Sequence, residues 1–262
     1  LPSPRAYMKC MSELDYRTPH IAQPIIAWCI DELRRFHERQ ELTILDVCAG
    51  YGVNGALLQC NLSLDDLYDY FTGHMCRGEE ALIDQLYFEQ FSHDSDLKVV
   101  GLDVASQALG YGRNAGFIHD SYAVDLEREP LPDALKVLLP ECSLCIVTGG
   151  FSFVGANTFD KILSGYPSTS PKPWIVGFPT LHCDMVQLID VLHQHDYVIQ
   201  PTQDWHFRQR RFANADERMR EREVLSNTQL KTFDTEYFEA RLLLAQPAGM
   251  RLLPQEVLMK GR

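Results

Sequence analysis

The amino-acid sequence predicts an α/β fold with a mostly parallel sheet, on three observations. Short apolar runs recur along the chain and alternate with segments of helical periodicity, the order that parallel strands with crossover helices require. Residues 42–56, LTILDVCAGYGVNGA, join one of these runs to a glycine turn and the start of a helix. With 262 residues, 45% of them hydrophobic, the chain is long enough for one α/β core. We therefore expect a single domain over residues 1–262.

The predicted elements follow one another in a regular order. Thr18 and Pro19 can begin a helix whose apolar residues recur at helical spacing as far as Phe36. The first strand, residues 44–47, leads into the glycine turn and a helix that starts at Val53. Later strands are predicted at residues 99–104, 121–126, 143–147, 174–178, 197–199 and 240–245. Later helices are predicted at residues 106–115, closed by Gly116, and at residues 185–192.

Composition argues against several classes of function. A formal net charge of −12 argues against nucleic acid as a partner, since phosphate binding typically needs a basic face, and favours a small-molecule or peptide substrate. No apolar run reaches the roughly 18 residues of a membrane span, and the first residues lack a signal-peptide pattern. The eight cysteines lie mostly in apolar segments, which predicts buried thiols in a reducing cytoplasm. Cys142 and Cys145 form a CxxC pair inside a predicted strand, so we expect structural thiols and no metal site.

The glycine turn predicts a bound cofactor. Gly50, Gly52 and Gly55 fit the GxGxxG pattern of dinucleotide-binding folds, so the glycines alone do not distinguish between cofactors. Asp46, four residues ahead of Gly50, helps to distinguish between the cofactors. A carboxylate beside the turn would repel the diphosphate of a nicotinamide cofactor and attract a cofactor that carries an amine or a sulfonium.

At Asp46, Gly50 and Gly52 this chain resembles the class I S-adenosylmethionine-dependent methyltransferases. The first motif of that family consists of an acid, three residues, Gly, any residue and Gly. The segments LDYRTPH, NLSLDDLYDYF and FRQRRFA are similar to a group of bacterial small-molecule methyltransferase-like proteins. The resemblance implies a Rossmann-like seven-stranded, mostly parallel sheet with helices on both faces and an antiparallel last strand. It also implies transfer of a methyl group from S-adenosylmethionine to a small-molecule acceptor by in-line displacement.

The resemblance places the cofactor at the carboxyl ends of the parallel strands. It implies that Asp103 accepts hydrogen bonds from both ribose hydroxyls and that Asp125 meets the adenine amino group. Leu126 and Val104 would pack on the two faces of the adenine ring, and Asp46 would orient backbone amides and solvent near the methionine amine. The expected cofactor-binding residues are Asp46, Ala49, Gly50, Tyr51, Gly52, Asp103, Val104, Asp125, Leu126, Thr148, Gly149 and Tyr16.

Two segments depart from a minimal fold of this kind. Asp103 lies 53 positions after Gly50, where a βαβ unit places such an acid about 20 residues on, so we expect a helical insertion after the first βα unit, over residues 61–96. Its stripe of Leu64, Leu67, Tyr68 and Phe71 predicts core packing or a homodimer contact, with a cap over the substrate as the alternative.

The second added segment is a C-terminal insertion, residues 202–235, between the last two strands. WHFRQRRF at residues 205–212 alternates as a strand does, and Asn214 with Glu217 has the form of a helix capping box. The arginines Arg208, Arg210 and Arg211 either bind a substrate carboxylate or pair with acids of this chain, and the sequence leaves the choice open.

The resemblance implies that residues 1–40 form a lid and a helix, with the lid folded over the cofactor. Tyr7, Tyr16 and His20 are the candidates for contact, and a loose tail is the alternative. For catalysis, His182 after the fifth strand is the candidate base, although a capping or solvated histidine fits the same position. A nicotinamide-dependent oxidoreductase, or a methyltransferase-fold protein that binds the cofactor without transferring a methyl group, remains the alternative function.

Overall fold

The structure is a computed structural model that describes residues 3–73, 80–202, 205–226, 232 and 234–249. Its strands are β1 (Leu42–Val47), β2 (Leu97–Asp103), β3 (Asp120–Ala123), β4 (Cys142–Val147), β5 (Trp174–Gly177), β6 (Tyr197–Ile199), β7 (His206–Arg211), β8 (Tyr237–Arg241) and β9 (Leu243–Pro247). Its α-helices are α1 (Arg5–Glu13), α2 (Thr18–His37), α3 (Val53–Gln59), α4 (Leu64–Gly73), α5 (Glu80–Phe88), α6 (Ser106–Asn114), α7 (Asp133–Leu138), α8 (Ala156–Ser164), α9 (Val186–Gln194) and α10 (Ala215–Ser226). Short 3₁₀ turns lie at Glu89–Phe91 and Leu139–Glu141.

The main sheet has seven strands in the order β3-β2-β1-β4-β5-β9-β6. β1 pairs in parallel with β2 on one side and with β4 on the other. Outside these, β3 pairs in parallel with β2, and β5 pairs in parallel with β4. β9 is antiparallel to both of its neighbours, β5 and β6. The expected Rossmann-like, mostly parallel seven-stranded sheet with an antiparallel last strand is therefore confirmed.

Strand β1 is buried along its whole length and divides the core into two layers. Successive side chains of a strand point to opposite faces of the sheet. Ile44 packs in a cluster with α2, while Leu45 and Val47 pack in a cluster with side chains of α8 and α9. Helices therefore cover both faces, and this explains why the central strands are continuous apolar runs.

The helix after the glycine turn packs unusually close to the backbone that precedes β3. Gly50 and Gly52 have left-handed φ values of 54° and 80°, which glycine adopts without a steric penalty. A Cβ atom on Gly55 would collide with the carbonyl oxygen of Phe117. The third glycine of the pattern thus permits close packing of α3, while the first two shape the turn.

The inserted helices pack into the chain's own core. Leu64, Leu67, Tyr68 and Phe71 on α4 are buried in one cluster with Met8 of the N-terminal segment. Of the three uses predicted for this stripe, core packing is the one confirmed. Residues 74–79 of the predicted insertion lie outside the described residues.

Helix α1, which sequence periodicity does not indicate, is tied to the insertion by a buried carboxylate. Asp84 on α5 is fully buried and accepts hydrogen bonds from the guanidinium of Arg5 at 2.8 and 3.1 Å. The hydroxyls of Tyr70 and Tyr111 donate to the same carboxylate. One buried acid thereby joins α1, α4, α5 and α6, since a carboxylate buried this deeply needs both a cation and hydrogen-bond donors.

The C-terminal segment differs from its prediction in one respect. The strand predicted at 205–212 forms as β7, but it pairs with β8 in a separate two-stranded sheet. The single strand predicted at 240–245 is wrong, because the chain passes at Leu242 from that small sheet into β9 of the main sheet. Asn214 caps α10 as predicted, its Oδ1 accepting the Glu217 N–H at 2.9 Å. Residues 203–204, 227–231 and 233 lie outside the described part of the chain.

The CxxC pair lies within β4, where Cys142 and Cys145 are 1% and 0% exposed, as expected for structural thiols. Among the described residues, no helix combines the length and apolar character needed to cross a bilayer.

The close packing of α3 predicts the effect of adding one methyl group. Gly55→Ala should destabilise the fold by about 1–3 kcal/mol, because the new Cβ meets rigid backbone rather than a movable side chain. Gly110→Ala on α6 is the matched control, since a Cβ there has no heavy atom within 4 Å and alanine favours helix. Urea unfolding measures both, and equal stabilities of the two variants would contradict the packing described for α3.

Candidate functional site

A cavity of about 720 Å³ lies at the carboxyl ends of β1 to β4. This is where the strand order reverses, the usual ligand position in open α/β sheets, and the volume is typical of a small-molecule site. Every residue expected to bind a cofactor lines it except Asp46 and Gly52. Those that do are Tyr16, Ala49, Gly50, Tyr51, Asp103, Val104, Asp125, Leu126, Thr148 and Gly149.

Asp103 at the end of β2 joins two backbone segments of the cavity wall. Its Oδ2 accepts the Gly50 N–H at 2.9 Å, and its Oδ1 accepts the Ala105 N–H at 2.8 Å. A carboxylate oxygen has about two lone-pair sites, so each oxygen can accept one further hydrogen bond. Asp103 therefore presents a fixed, half-buried acceptor pair to a diol in the cavity.

The segment after β3 supplies a second acid and an apolar surface. Oδ1 of Asp125 accepts the Glu127 N–H at 3.1 Å, which fixes the carboxylate in a tight turn. Its Oδ2 lies 3.7 Å from Nε of the exposed Arg128. Leu126 is 3% exposed and Val104 is 67% exposed, so Val104 offers the larger uncovered apolar area to a planar ligand.

Asp46 lies behind the cavity wall and acts through a neighbour that the sequence reading missed. Asn54 donates from Nδ2 to Oδ1 and Oδ2 of Asp46 at 3.0 and 3.1 Å, and it lies 3.0 Å from Oγ1 of Thr148. Asn54 lines the cavity and Asp46 does not. Burial raises the pKa of Asp46 to about 7, with the hydrogen bond from Asn54 opposing the shift and the charge of Asp103 adding to it. The sequence signal for Asn54 is that it is a polar residue in the otherwise apolar start of a helix.

The N-terminal segment covers one side of the cavity. The Tyr16 hydroxyl donates to the Thr148 carbonyl at 3.2 Å, and Gly149 leaves room for it, because a Cβ there would collide with that hydroxyl. Tyr7 also lines the cavity, its ring centroid 5.7 Å from that of Tyr51. His20, the third contact candidate, is exposed and is absent from the lining residues.

The loop between β4 and α8 closes the remaining side, held by an acid that the sequence did not single out. Oε1 of Glu127 accepts the N–H groups of Gly155 and Thr158 at 2.6 and 3.1 Å. Burial alone would raise the pKa of Glu127, but these bonds and the Thr158 side chain hold it below its ordinary value. Phe153 of this loop is 78% exposed and lines the cavity.

His182 and the arginines lie away from this cavity. Nδ1 of His182 is 2.7 Å from the Glu221 carboxylate, and Nε2 is 3.0 Å from Oγ1 of Thr180. The arginine contacts are with this chain: Arg208 with Asp234 at 2.8 Å, Arg210 with Glu217 at 2.7 and 2.9 Å, and Arg211 with the Tyr237 hydroxyl at 2.9 Å.

No protein-family model and no curated protein matches the sequence. Among solved structures, the magnesium protoporphyrin IX methyltransferase of Synechocystis with bound S-adenosylhomocysteine is similar at a TM-score of 0.45 and 10% identity, over 89% of this chain and 85% of that chain. The N-methyltransferase NodS of Bradyrhizobium japonicum scores 0.42 at 10% identity, over 86% and 87%. The geranyl diphosphate C-methyltransferase of Streptomyces coelicolor scores 0.37 at 8% identity, over 80% and 73%.

The raised pKa of Asp46 predicts a pH-dependent loss of stability. Because the folded-state pKa of about 7 exceeds the ordinary 3.8, the folded chain keeps a proton between these values that the unfolded chain has lost. Stability should therefore fall as the pH rises through this window, by up to about 1.4 kcal/mol per pH unit, and level off above it. Asp46→Asn should remove this slope. Urea unfolding at pH 5 and pH 8 measures it, and parallel profiles of the two proteins would refute the buried-acid assignment.

Proposed function

We propose that the protein binds S-adenosylmethionine in the cavity at the carboxyl ends of β1 to β4 and transfers its methyl group to a small-molecule acceptor. The observation that carries the proposal is the antiparallel β9, inserted between β5 and β6. The dinucleotide-binding sheet has the order 3-2-1-4-5-6 without such a strand. The class I methyltransferases that the motif of Asp46, Gly50 and Gly52 resembles have it.

The charge of the lining supports the same cofactor class. Asp103, Asp125 and Glu127 are acids of the lining, and Arg128 is its exposed cation, next to Asp125. Three acids against one cation favour a ligand with positive charge and disfavour a diphosphate. A sulfonium cofactor suits such a lining, and a nicotinamide dinucleotide does not.

The proposed contacts follow from the acceptors that the cavity presents. Asp103 would accept hydrogen bonds from the two ribose hydroxyls on its free lone pairs. Asp125 would accept a hydrogen bond from the adenine amino group. Val104 and Leu126 would contact the adenine ring. The backbone of the glycine turn and the residues after β4 would hold the methionine part, with Asp46 acting through Asn54. The remaining proposed cofactor residues are Ala49, Gly50, Tyr51, Gly52, Thr148, Gly149 and Tyr16.

The main contribution of the chain to the reaction would be to position the acceptor against the cofactor. The cofactor supplies a methyl group already activated by positive sulfur, and the chain has to hold an acceptor in line with the carbon–sulfur bond. Tyr7, Tyr16 and Phe153 lie around the cavity where they would exclude water and orient the acceptor. His182 as the base remains a prediction from the sequence. It is not among the residues that line the cavity.

Isothermal titration calorimetry tests the cofactor class directly. S-adenosylhomocysteine should bind to the protein with measurable heat, because it makes every proposed nucleoside contact, and NADH should not bind. Binding of NADH in preference to S-adenosylhomocysteine would overturn the proposal in favour of an oxidoreductase.

The same titration on two variants tests the ribose assignment. Asp103→Ala should weaken S-adenosylhomocysteine binding by about 1–3 kcal/mol, or about 5- to 150-fold, because the ribose hydroxyls lose their acceptors. Asp190→Ala removes an exposed acid on α9 and should leave the affinity unchanged, which controls for the change in net charge. Equal affinities of both variants would refute the role of Asp103.

A further inference from the structure

Four polar side chains lie one after another outside the cofactor cavity, and we term them the Cys183 relay: Cys183, Thr180, His182 and Glu221. Hydrogen bonds join the first three, and a close ion-pair contact joins His182 to Glu221. Oγ1 of Thr180 lies 3.0 Å from Sγ of Cys183 and 3.0 Å from Nε2 of His182. Nδ1 of His182 lies 2.7 Å from Oε2 of Glu221 on α10. The order is thiol, hydroxyl, imidazole, carboxylate, so one hydroxyl connects the sulfur to a histidine that a carboxylate holds in place.

The burial of Glu221 favours a proton on His182. The Glu221 side chain is 6% exposed, and its other oxygen, Oε1, has no hydrogen-bond partner among the described residues. A buried carboxylate is costly unless it faces a cation, and His182 is the group placed to provide one. Hydrogen bonding with Cys183 and with Glu221 raises the pKa of His182 to about 9.

Thr180 gives the proton a path from the sulfur. When Cys183 carries the proton, S–H donates to Oγ1 and the hydroxyl donates to Nε2 of His182. When His182 carries it, Nε2–H donates to Oγ1 and the hydroxyl donates to the thiolate, so the Thr180 hydroxyl donates one hydrogen bond and accepts one in both arrangements. Burial would raise the pKa of Cys183, but hydrogen bonds from His182 and Thr180 hold it below its ordinary value.

Two other charged residues of the described chain lie beside the Cys183 loop, Arg241 and Asp184. Arg241 on β8 donates to the Cys183 carbonyl at 3.2 Å, and its half-buried guanidinium adds positive charge beside the loop. Asp184, the next residue along the chain, is exposed. Arg241 favours the thiolate, while the solvated Asp184 opposes it only weakly.

We propose that Cys183 is a nucleophilic thiol and a modification site for hydroperoxides. The thiolate attacks the terminal oxygen of the peroxide, a sulfur–oxygen bond forms, and the oxygen–oxygen bond breaks. Sulfur gives up two electrons and becomes a sulfenic acid. The leaving alkoxide takes the proton of His182 through Thr180 and departs as an alcohol, or as water when the oxidant is hydrogen peroxide.

Hydroperoxides are the matching class because of their leaving group. An alkoxide is a strong base that leaves readily only with a proton, and the relay stores one beside the sulfur. Ser152 helps to lower the pKa of Cys183, and it belongs to the same loop as Gly150, Phe153 and Val154, which line the cofactor cavity. The proposed oxidation site therefore lies next to a loop of the cavity wall.

Thiol mapping on the full chain tests the proposal. At pH 6, iodoacetamide should label Cys183 at least about tenfold faster than the exposed Cys10 in the same sample, measured by mass spectrometry of the two peptides. With tert-butyl hydroperoxide and dimedone as the sulfenic acid trap, Cys183 should be the faster site as well. Equal rates at the two cysteines would overturn the proposal.

Variants separate the relay from simple exposure of the thiol. Thr180→Val should slow the peroxide reaction of Cys183 at least about tenfold, and Thr180→Ser, which keeps the hydroxyl, should restore it. Glu221→Gln should shift the pH profile of Cys183 labelling to higher pH even if Thr180→Val fails to fold. His195→Asn is the control, because His195 forms a similar pair with Asp160 at 2.8 Å elsewhere. Unchanged rates and profiles in Thr180→Val and Glu221→Gln would refute the relay.

Discussion

The hydrogen bond from the Gly50 N–H to the Asp103 carboxylate, 2.9 Å long, joins the turn after β1 to the end of β2. It requires Gly50 in a left-handed conformation, with φ of 54°, and two parallel strands that end at the same level, with Val47 opposite Leu102. Given these conditions, the carboxylate stands at the mouth of the turn. The long insertion between the two residues leaves this contact intact, because it packs beside the sheet and does not separate the strands.

Two acids near this contact have different environments and therefore different uses. Asp103 is half-buried, bonded to backbone N–H groups and open to the cavity, which suits a carboxylate that binds hydroxyls. Asp46 is fully buried behind Asn54 and does not line the cavity, so it supports the wall through Asn54, and the same burial raises its pKa to about 7. The charge that faces a ligand thus comes from Asp103, Asp125 and Glu127, and this favours a cationic nucleoside over a diphosphate.

The features that were predicted correctly from the sequence are those that local chemistry determines. The parallel strands, the glycine turn and the cavity position of Asp103 follow from apolar runs, positive φ and the rule that ligands lie at strand ends. Helix α1, the role of Asn54 and the Glu127 contacts depend on partners distant in sequence, such as Asp84 for Arg5. The division of the predicted last strand at Leu242 likewise depends on β7, since an extended segment carries no mark of which sheet it will join.

The measurement that tests the central claim most directly is a crystal structure of the protein with S-adenosylhomocysteine bound. The account predicts the nucleoside in the cavity, with both ribose hydroxyls within about 3 Å of the Asp103 carboxylate and the adenine amino group near Asp125. The sulfur should lie within the space bounded by Tyr7, Tyr16 and Phe153. An empty cavity at saturating ligand, or a nucleoside bound elsewhere on the chain, would contradict it.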